Sequence, residues 1–101
     1  MKKTFQLQQA NKHPDRVIEA VKNEIRKYLK RERKKKLPEG ALFWDFDCRF
    51  GKNSGDAEVV TAAGIITSLD KAHDEQLSEC YIEIITKPSF KKSEKVQEEE
   101  A

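Results

Sequence analysis

The chain has little of most things that mark a specialised protein. Among 101 residues there are two cysteines, two histidines, three prolines, four glycines and one tryptophan, and aromatic residues make up 8%. Cys48 and Cys80 stand far apart and form no CxxC, so no disulfide framework is encoded. No run comes near the ~20 apolar residues that a membrane-crossing helix needs. The hydrophobic fraction, 37%, is low for a soluble protein, and the charged fraction, 38%, is high. A chain of this length forms one domain and buries only about two-thirds of its unfolded surface, which leaves little room for a large enclosed cavity. Residues 1–9 open with lysines but lack the apolar stretch of a secretory signal. A cytoplasmic protein with reduced thiols and no membrane partner is the expectation.

Charge is plentiful and unevenly placed. The net charge of +2 is the balance of two opposite halves. Residues 1–40 hold 13 Lys/Arg against 5 Asp/Glu, a net of +8, and residues 41–101 hold 7 against 13, a net of −6. Such a division suggests a basic patch that meets an acidic partner, although the halves could also compensate each other on folding.

Hydrophobic periodicity supplies the elements. Phe5 and Leu7 alternate with polar residues, which predicts a strand over 3–9. Pro14 and Asp15 suit a helix start. Val17, Ile18, Val21, Ile25, Tyr28 and Leu29 then form one helical stripe. The stripe stops at Leu29, whereas Lys30–Lys36 contains no apolar residue, so about 10 Å of basic helix is predicted to overhang the core before Pro38 ends it. Residues 42–50 alternate strongly, with Leu42, Trp44, Phe46, Cys48 and Phe50 on the core side and Phe43, Asp45, Asp47 and Arg49 on the other. After a turn over 51–56, residues 57–61 are read as a short strand, 62–77 as a helix and 79–87 as the last strand. The domain is placed at 1–88, and 89–101, which carries Glu98–Glu100, is read as a disordered charged tail.

The order strand, helix, strand, strand, helix, strand is that of an α+β, two-layer ferredoxin-like βαββαβ plait, an antiparallel sheet with both helices on one face. In that plait the second and fourth strands are opposite edges, which separates Cys48 from Cys80 by about 14 Å. If 57–61 were helical, a three-stranded βαβαβ sheet would result.

Leu37-Pro38-Glu39-Gly40 followed by Phe43-Trp44-Asp45-Phe46-Asp47-Cys48-Arg49-Phe50-Gly51 resembles a family of small bacterial proteins of unknown function. The basic Lys30-Arg31-Glu32-Arg33 and the closing Glu83-Ile84-Ile85-Thr86-Lys87-Pro88 share in the resemblance, which spans most of residues 3–88. It implies a small soluble bacterial protein and supplies no activity, cofactor or site.

Among candidate sites the basic helix end leads. Arg26, Lys27, Lys30, Arg31, Arg33, Lys34, Lys35 and Lys36 can contact phosphates of RNA or, less favourably, DNA, by charge and without reading sequence. Solvation of a helix end is the plain alternative, and an acidic protein is a third reading. The outward face of the sheet, with Phe43, Tyr81 and Ile85, could serve a partner or a homodimer mate. Stacking of RNA there is rejected, because Asp45, Asp47 and Glu83 would repel phosphate. Asp45 and Asp47 project together and could share a hard cation, but polar decoration beside Arg49 is preferred. Cys48 and Cys80 read as buried small hydrophobes, and neither His13 nor His73 is tied to them, so no catalytic thiol is assigned. Gly51-Lys52-Asn53-Ser54-Gly55 lacks the order of a phosphate-binding loop. Trp44 is assigned to the core. The expectation is a non-enzymatic binding module with no metal and no cofactor.

Overall fold

The computed structural model describes residues 1–90. The elements are β1 (Lys2–Gln6), α1 (Pro14–Arg33), β2 (Phe43–Gly51), a 3-10 turn (Ser54–Asp56), β3 (Glu58–Val60), α2 (Ala62–Asp74) and β4 (Glu79–Ser89). The predicted succession of elements is present, including the short strand at 58–60, which excludes the three-stranded alternative. Of the expected tail, Ser89 belongs to β4, and residues 91–101 lie outside the described residues.

The fold is α+β, a four-stranded antiparallel sheet with two helices, but the strand order is β1-β4-β2-β3 and differs from the plait. The expected edge strands β2 and β4 are the central pair. Length and composition explain the exchange. β2 has 9 residues and β4 has 11, and Cys80, Ile82 and Ile84 of β4 are fully buried. β1 (Lys-Lys-Thr-Phe-Gln) buries only Phe5, and β3 has three residues, so these two polar, short strands take the edges, where unpaired backbone can meet water. Cys48 lies opposite Ile84 and Cys80 opposite Phe5, so the thiols are four residues apart along adjacent strands, about 14 Å. Both are free and buried, too distant for a bridge in either topology.

One core joins the helices to one face of the sheet. From α1 come Val17, Ile18, Val21, Ile25 and Leu29; from α2 come Ile65, Leu69 and Ala72; from the sheet come Phe5, Cys48, Cys80, Ile82 and Ile84. Polar ties fasten the two helices to each other. Lys22, buried to 8% exposure, is paired with Asp70 and with Glu19, and the former bond is the main reason its ammonium is held above the usual lysine range. His73 Nε2 lies 2.6 Å from Asp15 Oδ1.

β2 and β4 outrun their neighbours. β3 pairs only with Cys48–Phe50, and β1 reaches β4 only as far as Met1, whose carbonyl accepts from the Ile84 amide. Phe43–Asp47 and Ile85–Ser89 therefore form a two-stranded ribbon with no further strand on either side among the described residues. Pro88 lies inside β4 rather than ending it. Because the Ile84 amide points away from β2, so does the nitrogen of Pro88 four residues on, where no ladder bond is required.

The turn after β2 is close-packed. A Cβ added to Gly51 would stand 2.6 Å from Ala57 Cα, whereas one added to Gly55 would meet only the Asn53 side chain, at 3.3 Å. Gly51→Ala is expected to lower stability by about 1–3 kcal/mol and Gly55→Ala by much less, read from urea denaturation midpoints.

Candidate nucleic-acid interface

The end of α1 is built on the ribbon. The inward stripe continues beyond Leu29 to Glu32, which takes the next core-facing position and is only 6% exposed. A carboxylate cannot remain ionised there without partners. Lys35 Nζ supplies one at 2.9 Å. The buried Thr86 hydroxyl, which makes no hydrogen bond of standard geometry among the described residues, lies near it on β4. Lys35 outweighs desolvation, with Thr86 and Arg31 assisting, and holds the Glu32 carboxyl below the usual glutamate range.

This arrangement corrects the predicted overhang. The helix ends at Arg33, with Lys34 as its cap, rather than continuing to Lys36. The segment that follows is fastened to β2, since Trp44 Nε1 donates to the Lys35 carbonyl at 2.8 Å. Trp44 itself is half-buried and lies outside the hydrophobic cluster, contrary to its assignment to the core. The apolar stripe of α1 ends at Leu29, so this part of the ribbon meets the charged last turn of that helix. Leu42, expected on the core side, precedes β2 and is 51% exposed.

The eight predicted contact residues are all exposed but are not equivalent. Arg26 donates to Asn23 at 3.4 Å. Arg31 lies over the Tyr28 ring at 5.6 Å, and Arg33 over the Phe46 ring at 5.3 Å. Lys35 is engaged by Glu32. Among the described residues, Lys27, Lys30, Lys34 and Lys36 make no side-chain hydrogen bond and no ion pair. Arg33 also borders a cleft of about 340 Å³, lined further by Trp44, Asp45, Phe46, Val60, Thr61 and Ala62. The cleft has no signature in the sequence, because Val60–Ala62 are brought to Arg33 only by the hairpin that returns from β2.

The other candidates are occupied or inert. Asp47 pairs with Lys87 at 2.9 Å, and the Asp45 carboxylate accepts from the Phe46 amide. Glu83, expected on the far edge, is on the strand next to β2 and lies opposite Arg49. Among the described residues no group of three or more His, Cys, Asp or Glu is placed to hold a metal ion. Tyr81 donates to Glu83 at 2.9 Å, which pushes its hydroxyl up from the ordinary tyrosine value. The hollow around Gln8, His13, Asp15 and His73 is spanned by the helix tie already described, with the His13 ring accepting from the Asp15 amide. Burial, aided by Asp47 and Asp45, raises the Cys48 thiol to about 11; burial, aided by Glu79, raises Cys80 to about 12. No helix among the described residues is long and apolar enough to cross a membrane.

Two measurements follow from these shifts. Glu32 has its folded value depressed, so its contribution to stability is present at neutral pH and is lost as pH falls through that value. Glu32→Gln should be less stable than wild type at pH 7 in urea denaturation, with the gap closing as pH drops below the glutamate range. Both thiols should resist a disulfide reagent at pH 8 in the folded protein and react promptly in denaturant.

No curated protein and no solved structure matches the chain. A family model does match, over residues 1–95, and its description is a family of unknown function, DUF6172. With nearly the whole chain covered, the protein belongs to the DUF6172 family of unknown function.

Proposed function

We propose that this protein is a non-enzymatic binding module that engages RNA by charge through the end of α1. The observation that carries the reading is the set Lys27, Lys30, Lys34 and Lys36, exposed and without ion pairs among the described residues, next to Arg31 and Arg33, whose guanidinium groups rest on aromatic rings. Lys35 takes a different part: it neutralises Glu32 and keeps the segment in place. Fixing the helix end to the ribbon sets the cations in a defined array, which lowers the ordering cost of contacting a phosphate backbone. The bacterial, cytoplasmic setting implied by the sequence belongs to the same proposal.

The outward sheet face is the weaker alternative. It exposes Val59 at 81% and Ile85 at 38%, but its centre is occupied by charged groups, with Asp47 bonded to Lys87 and Tyr81 to Glu83. An apolar interface would have to desolvate them.

Fluorescence anisotropy of labelled RNA tests the proposal. With about six phosphates engaged, log affinity should fall against log salt with a slope of about −4 to −5. Lys30→Glu/Lys34→Glu/Lys36→Glu should weaken binding at least ~100-fold at low salt. Equal binding by the wild type and that variant would remove the basis for the assignment.

A further inference from the structure

We infer that the cleft bounded by Arg33, Trp44, Phe46, Thr61 and Ala62 is a nucleobase pocket, so that the nucleic acid held by the basic helix end is single-stranded and places one unstacked base against the Arg33 guanidinium. This inference rests on the reading above and narrows its ligand.

Three features of the cleft select a base. The first is size: at about 340 Å³ it falls at the low end of small-ligand sites and cannot admit a duplex. The second is the platform. The Arg33 guanidinium carbon lies 5.3 Å from the centre of the Phe46 ring, so the group is already held near an aromatic side chain before any ligand arrives. Bases splayed from single strands stack on arginine planes as well as on aromatic rings, and a preformed plane loses little freedom on binding. Trp44 lines the same cleft, with its indole fixed by the bond to the Lys35 carbonyl. The third is charge. Asp45 also lines the cleft, and a carboxylate there disfavours a phosphate but tolerates a neutral base. The phosphates on either side of that base would fall to Lys34 and Lys36, which follow Arg33 closely in the chain and have no ion pair among the described residues. Bases within a duplex are stacked on each other and cannot use such a platform without flipping out.

Trp44 is the sole tryptophan, so its fluorescence reports on this cleft and on the Lys35 segment to which the indole is bonded. The experiment titrates the full chain with oligouridylate of about 12 nucleotides and with duplex RNA of equal length, following both anisotropy and Trp44 emission. The expected result is quenching by the single strand only. Arg33→Lys, which keeps the charge and removes the plane, should lose about five-fold or more in single-strand affinity with duplex affinity unchanged. A second variant, Ala62→Glu, places an acidic side chain at the half-buried start of α2, where the helix end favours it, and blocks the cleft; its circular dichroism and urea midpoint are to match the wild type before it is read. It should abolish quenching, whereas the charge-matched Val59→Glu on the outward face should not. Equal binding of single strand and duplex without quenching would overturn the base pocket and leave the charge reading standing. So would an equal loss on both ligands in Arg33→Lys. Absence of binding to either RNA would overturn both.

Discussion

Pairing of β2 with β4, from Phe43–Ser89 to Gly51–Tyr81, is the constraint from which the other placements follow. It brings the two longest strands to the centre, sets Cys48 beside Ile84 in the core, and leaves β1 and β3 to the margins. It also runs past both margins. The projecting part needs cover on its inward side, and the cover is the last turn of α1. A helix whose apolar stripe ends at Leu29 is thus extended by a single buried acid, Glu32, which faces Thr86 and has its charge answered by Lys35. The polar arrangement is an economical solution at the thin end of a domain, where an apolar side chain would be only half covered.

That arrangement sorts the basic residues. A run of seven charged side chains looks uniform as a string, yet one cation is used internally, two lie on rings, and others remain for an external anion. Glu32 is the residue that imposes the sorting, because its burial draws Lys35 inward and lets Trp44 hold the backbone. At the helix end the acidic half of the chain does not cancel the basic half. Asp47 is satisfied by Lys87 of its own half on the outward face, and the cross-half pair of Lys22 with Asp70 lies between the helices.

The elements themselves were legible, since period-two alternation at 42–50 and 79–87 and the helical stripe from Val17 to Leu29 each follow from one buried face. The strand order was not read, although a clue was present. Lys2, Lys3, Thr4 and Gln6 make β1 too polar for the middle of a sheet, while Cys80, Ile82 and Ile84 suit β4 for that place. The element order by itself fits either strand order, and only this local composition distinguishes them. Trp44 was misplaced for a related reason: alternation tells which way a side chain points, but not whether anything apolar lies opposite. The basic residues were found from composition. The cleft beside them could not be, because Val60, Thr61 and Ala62 approach Arg33 only after the hairpin folds back.

The position of Pro88 has a bearing on how the protein behaves in a crowded solution. A two-stranded projection with no further strand on either flank among the described residues is the kind of surface on which strands from other molecules accumulate. Pro88 withdraws one donor from the outer flank of β4, and beside it Lys87 adds a strongly hydrated ammonium. A foreign strand arriving at that border would find an interrupted ladder and would have to displace bound water to reach it. Pro88 and Lys87 thus oppose the addition of a further strand along that border of the arm.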